Sequence, residues 1–179
     1  MHTPSKSMTN GLKPAIATRI VNFGPVLQQA LRDVAAWTEK DIEPPASTSY
    51  EVVDGQVQVP PTAAERKGVQ PVVVARVNGS ARADVKVGER VTFSAVIEAP
   101  PDTGSIVGVE WDFEGEGDFP ESQKLENTKS QRVEVETTYA FSAPGTYFPA
   151  VRASSHRDGK SDTPYARISN LDRVRVVVK

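Results

Sequence analysis

The stretch VEWDFEGEGDFP, residues 109–120, decides how this chain is read. It opens as a strict alternation of apolar and polar residues and closes as carboxylates separated by glycines. Successive side chains of an extended chain point to opposite sides. From Ser105 onward, Val107, Val109, Trp111 and Phe113 therefore share one face, and Glu110 and Asp112 point the other way. The strand gives out at Gly115 and Gly117. The carboxylates around these glycines are a cation site, a catalytic pair, or the turn by which one strand leaves a sheet.

The same period of two runs outward in both directions. PVVVARVNG begins at Pro71, and ADVKVGERVTFSAVIEAPP places Val91, Phe93, Ala95 and Ile97 on one face. SQRVEVETTYAF sets Val133, Val135, Thr137 and Tyr139 against Arg132, Glu134, Glu136 and Thr138. GTYFPAVRASS and LDRVRVVVK complete the set. Several strands with one polar face each, separated by Gly/Pro turns, predict an antiparallel β-sandwich. Its core should contain Phe93, Val109, Trp111, Val135, Tyr147 and Val176, each on the apolar side of an alternating run.

Upstream the period changes. Residues 1–22 are polar and broken by Pro, Gly, Ser and Thr, which predicts an irregular lead-in. A helix is expected from about Pro25 to Lys40: proline is tolerated in a first turn, and Leu27, Leu31 and Val34 follow helical spacing. Ala30, Ala35 and Trp37 or Thr38 widen that stripe, and Pro44-Pro45 ends it. Such a stripe must be covered by the sandwich, by a second copy, or by a domain outside this chain, and docking on the sandwich or self-association is the expectation. Asp54-Gly55 between short β-prone runs predicts a hairpin, since both central positions of that turn favour positive φ. TAAERKG adds one helical turn. The chain therefore divides into a lead-in with helix (1–42), a Pro-rich connector with hairpin (43–70), and a β-sandwich (71–179). The class is mainly β, with an amphipathic helix and a hairpin connector before the sandwich.

Composition removes several function classes. The formal net charge is −2 over 179 residues, with no basic run, so a phosphate-neutralising nucleic-acid surface is not expected. Cysteine is absent, which excludes disulfides, thiolate nucleophiles and Cys-based zinc sites. No run reaches the roughly 18 apolar residues of a membrane helix, so membrane insertion is not expected. MHTPSKSMTNGLKP lacks the apolar centre of a signal peptide. If the protein is exported, its signal lies upstream and this chain is a fragment.

Three pieces in order carry a family resemblance: KVGERVTFSA, then VEWDFEGEGDF, then TTYAFSAPGTYFPAVRAS, with DRVRVVV closing the chain. Together they resemble the PKD domain, an immunoglobulin-like β-sandwich. The matching positions are Trp111, Asp112, Phe113, Gly115 and Gly117 at the strand end, then Tyr139, Pro144-Gly145 and Tyr147. The resemblance covers about residues 71–179. It implies a non-catalytic accessory, spacer or binding module of an exported multidomain protein, extracellular or periplasmic. The partners it implies are another domain of the parent protein, a cell-surface protein or a glycan. The family turn commonly has Asp where this chain has Glu114 and Glu116, which weakens any metal site carried over.

A second resemblance lies upstream. Leu27, Gln28, Gln29, Ala30, Leu31, Arg32, Asp33, Trp37, Glu39, Pro44, Pro45, Ser47 and Tyr50 look like the last helix and exit of large bacterial α/β-hydrolases. That alternative makes this chain a hydrolase's C-terminal tail, with the catalytic domain outside it.

The candidate chemistry is sparse. Asp112, Glu114, Glu116 and Asp118 have the alternate spacing with which a calcium loop opens, and a glycine follows the third acid. Glutamate is long for so tight a loop, however, and the bidentate ligand expected downstream is missing. On the competing reading, Asp112 and the glycines shape the turn and the glutamates are solvated; no cofactor beyond weak calcium is expected. Asp112 and Glu114 sit two apart on one strand end, unlike glycosidase carboxylates that face each other across a substrate. His2 and His156 are the two histidines. His156 falls in SSHRDGKSD and reads as a solvated loop residue, with a triad through Asp158 and a serine as the alternative. Asn78-Gly79-Ser80 matches the glycosylation tripeptide, which is frequent by chance.

Overall fold

The computed structural model describes residues 14–126 and 129–179. His2 lies outside the described residues, as does most of the lead-in. A four-residue helix, α1 (Pro14–Ala17), precedes the main helix α2 (Gly24–Lys40). Proline occupies the first turn of α2 as expected. The helix stops before Pro44-Pro45, at Asp41, whose left-handed backbone (φ 56°) brings the Asp41 N–H onto the Trp37 carbonyl and the Ile42 N–H onto the Ala36 carbonyl. The hairpin β1 (Glu51–Val53) and β2 (Gln56–Gln58) forms around Asp54 and Gly55, at φ 50° and 75°. One further turn of helix, α3 (Ala63–Arg66), is capped by Thr62, whose hydroxyl accepts from the Glu65 N–H.

The remaining strands are β3 (Val72–Val77), β4 (Arg82–Val85), β5 (Arg90–Glu98), β6 (Ser105–Asp112) and β7 (Glu121–Gln123). They continue as β8 (Arg132–Ala140), β9 (Gly145–Tyr147), β10 (Ala150–His156), β11 (Arg167–Arg173) and β12 (Arg175–Val178). Three ladders make the sandwich, ordered β3-β5-β8, β11-β10-β6-β7 and β4-β12-β9. One pair departs from the antiparallel expectation: β4 runs parallel to β12. The cause is the turn at Asn78-Gly79, with φ 47° and 77°, which takes the chain out of the first ladder after β3 and delivers it beside the last strand. Asn78 also accepts the Thr92 N–H, so the glycosylation-like tripeptide has a local structural task.

Five of the six predicted core residues are buried: Phe93, Val109, Trp111, Val135 and Val176. Tyr147 is half-buried, and its hydroxyl reaches out to the Ala143 carbonyl. An aromatic chain binds the two faces together. Trp111 and Phe113 stack at 5.7 Å, Phe113 stacks on Tyr139 at 4.5 Å, and Phe141 meets Tyr147 at 4.4 Å. Such pairs stabilise beyond their buried area. The alternation of β6 shifts where its pairing with β10 skips Val107. The extra residue of this bulge puts Ile106 into the core cluster in place of the expected Val107.

The helix does not dock as expected. Leu27, Leu31, Val34 and Trp37 are exposed, between 51% and 71%. What α2 turns to the sandwich is its polar edge: Gln29 and Asp33 are buried, and Asp33 Oδ1 accepts from Arg157 Nη1 at 2.6 Å and Gln29 Nε2 at 2.9 Å. The connector is tied down by main-chain bonds, Ser49 N–H to Arg66 O and Gly68 N–H to Ala46 O, and by the Ala63 N–H on Glu98 Oε2.

Candidate functional site

The turn after β6 is built around one carboxylate. Asp112 occupies a polar position of its strand but is 1% exposed, because the turn it organises folds back over it. Its Oδ1 accepts the N–H groups of Gly115 (2.8 Å) and Glu116 (3.1 Å), and its Oδ2 accepts that of Gly117 (2.5 Å). Three successive donors can converge on one side chain only if the backbone curls, and Gly115 and Gly117 supply φ of 76° and 90°. At Gly115 a Cβ would also lie 3.2 Å from the Phe148 carbonyl oxygen.

The other acids of the run diverge. Glu114 Oε1 accepts from the Tyr139 hydroxyl at 2.5 Å, which bridges the turn to β8. That hydrogen bond, with burial adding to it, pushes the Tyr139 phenol up to about 12 from its ordinary 10.0. Glu116 and Asp118 are exposed. Among the described residues, no three histidine or acidic side chains gather in a way that would hold a metal ion. Phe119, at φ 51°, is buried under the Arg152 guanidinium, 4.3 Å from its ring centre. Arg152 also pairs with Glu110 Oε2 at 3.0 Å across the β6–β10 ladder. Arg152, Glu110, Phe119 and Tyr139 were missed as members of this site. For Arg152 and Glu110 the cue is polar placement on neighbouring strands, which carries no pairing information until the register is known.

His156 is not a solvated loop residue. It ends β10, is 5% exposed, and its Nδ1 accepts the Asp158 main-chain N–H at 3.0 Å. Its burial follows from position, because β10 lies between β6 and β11. In a triad Nδ1–H donates to a carboxylate; here Nδ1 is the acceptor, so that arrangement is not assembled. The adjacent hydroxyls are engaged elsewhere: Ser154 Oγ with Ser169 Oγ at 2.9 Å, and Ser155 Oγ on the Ile168 carbonyl at 3.4 Å. Gly104 (φ 122°) passes so close to the His156 carbonyl that a Cβ there would come within 2.3 Å.

A family model described as the PKD domain matches residues 75–164. Among solved structures, the chain is similar to the PKD domain of an M14-like peptidase from Thermoplasmatales archaeon SCGC AB-540-F20. The identity is 12% and the TM-score 0.40, over 62% of this chain and 94% of that one. It is also similar to a Niemann-Pick type C2 protein from Japanese carpenter ant, at 10% identity and a TM-score of 0.36, over 63% of this chain and 94% of that one. No curated protein sequence matches. The family match spans 90 of the 179 residues and contains the Trp111-Asp112-Phe113 strand end, its glycine turn and the Tyr139/Tyr147 pair, and the chain belongs to the PKD domain family.

Proposed function

We propose that this chain is a non-catalytic accessory module of an exported multidomain protein, a hydrolase, in which it spaces a neighbouring domain or contacts a cell-surface protein or glycan. PKD domains are non-catalytic modules, commonly of extracellular proteins. No helix among the described residues is long and apolar enough to cross a membrane. One observation carries the reading: Asp112, Glu114 and His156 are engaged in holding the fold. Asp112 accepts three backbone N–H groups, Glu114 Oε1 accepts the Tyr139 hydroxyl, and the His156 Nδ1 accepts a main-chain N–H. A calcium ion would have to compete with those bonds, so affinity at the turn is weak, on the order of millimolar as in extracellular modules.

Assays of the purified chain with ester, peptide and glycoside substrates test the catalytic half of this reading. No turnover is expected, because no nucleophile–base pair is assembled among the described residues. Robust hydrolysis that disappears in His156→Ala would overturn it. Binding to immobilised cell-wall or surface glycans, and its loss on digestion of the glycans with glycosidases, separates a binding role from a pure spacer.

A further inference from the structure

Between α2 and the turn that follows β10 lies a cavity of about 360 Å³. Gln29 and Arg32, three residues apart on one face of the helix, line it from one side. His156, Arg157, Asp158 and Lys160 line it from the sandwich side. The turn that carries them is tied down. The Gly159 N–H donates to the His156 carbonyl at 3.0 Å, the Asp158 N–H to His156 Nδ1 at 3.0 Å, and Arg167 Nη2 to the Ser161 carbonyl at 2.5 Å.

The charge around this cavity is unbalanced. Arg32, Arg157 and Lys160 face one lining carboxylate, Asp158. Asp33 pairs with Arg157 Nη1 at 2.6 Å, which engages only part of a guanidinium's fork of N–H donors. Arg32 and Lys160 have no ion-pair partner among the described residues. Acids outnumber bases in the chain, 23 to 21, so composition does not account for this local excess of positive charge. The buried part of the lining is polar as well, with Gln29 and His156 only 4% and 5% exposed. Because His156 Nδ1 accepts a main-chain N–H, the neutral ring carries its proton on Nε2, and that proton has no acceptor among the described residues.

We propose that this cavity binds a tetrahedral oxyanion, phosphate or sulfate, free or as a group on a larger molecule. Like charges gathered round one hollow repel each other, and a bound anion relieves that repulsion. Donors that converge from a helix and from a turn suit the tetrahedral spread of phosphate oxygens better than the single plane of a carboxylate. A volume of about 360 Å³ falls at the lower end of the roughly 300–1,000 Å³ of small-molecule sites, which leaves room for a carrier beside the anion.

Calorimetric titration of inorganic phosphate, and separately of sulfate, into the purified chain at constant ionic strength tests this. Saturable binding is expected. Arg32→Gln with Lys160→Gln should weaken it by about tenfold or more, whereas Arg19→Gln with Lys40→Gln, which removes the same charge elsewhere, should change it by less than about twofold. All four side chains are exposed, so circular dichroism should be unchanged. Asp158→Asn removes the one opposing carboxylate, keeps the main-chain N–H on His156, and should tighten binding. A sugar phosphate that binds more tightly than inorganic phosphate supports the site and assigns the anion to a larger molecule; equal binding supports it and assigns the free ion. Absence of saturable binding with both phosphate and sulfate overturns the proposal. Equal weakening by the two double variants overturns it as well, since the anion would then answer to net charge rather than to this cavity.

Discussion

Replacing Asp112 with alanine strips three backbone N–H groups of their acceptor at once. The bond from Gly117 is buried, and an unsatisfied buried donor costs about 1–3 kcal/mol. The donors of Gly115 and Glu116 are part-buried and can turn to water, at about 0.5–1.5 kcal/mol each. The sum centres on about 4 kcal/mol, a large share of the roughly 5–15 kcal/mol that holds a domain folded. Asp112→Asn separates the contributions. Its carbonyl can retain the two bonds on Oδ1, but its NH₂ meets the Gly117 N–H donor to donor, so the loss should be about 1–3 kcal/mol. Urea unfolding followed by Trp fluorescence reads both values. Alanine within about 0.5 kcal/mol of the wild type would show that the turn holds without its carboxylate. Asparagine as damaging as alanine would show that charge, rather than acceptor geometry, is what the turn uses.

Trp111→Ala should cost about 3–5 kcal/mol because it removes the buried indole that packs on Phe93 and Phe113. Trp111→Phe should cost clearly less, since the indole Nε1 it removes is buried without an acceptor. Equal effects of the two, by urea unfolding followed by circular dichroism, would mean that the ring volume is not what matters. Tyr139 supplies a pH test. Its pKa is raised in the fold from 10.0 to about 12, so its contribution is complete below pH 10 and is lost as pH rises through about 12. Phenolate absorbance should show one tyrosine titrating late, and Tyr139→Phe should abolish that phase; a late phase surviving the substitution would assign it to another residue.

The β-strands were legible because burial on one side of a sheet writes a period of two into the residues themselves. Val91, Phe93, Ala95 and Ile97 needed nothing more. Ile106 and Val107 were misread for a physical reason: a bulge inserts one residue, and a single sequence does not mark where alternation slips. Asp112 was legible as a turn former, yet its burial was not, since the covering atoms are backbone N–H groups brought round by Gly115 and Gly117. His156 was misplaced because neighbouring Arg157, Asp158 and Gly159 suggested a loop, whereas its environment is set by two strands distant in sequence. The helix was placed by its periodicity, and its orientation was not, because Arg157 lies 124 residues beyond Asp33.

The nature of the acidic turn is tested most directly by thermal unfolding of the purified chain in calcium and in a chelator. At millimolar calcium a micromolar site would add about 4 kcal/mol of stability, whereas a millimolar site adds less than about 0.5 kcal/mol. With Asp112 holding three backbone donors and Glu114 held by Tyr139, the two unfolding curves should nearly coincide and the chelated chain should stay folded. A calcium-dependent rise of several kcal/mol, or loss of the fold on chelation, would contradict the structural reading of residues 112–118.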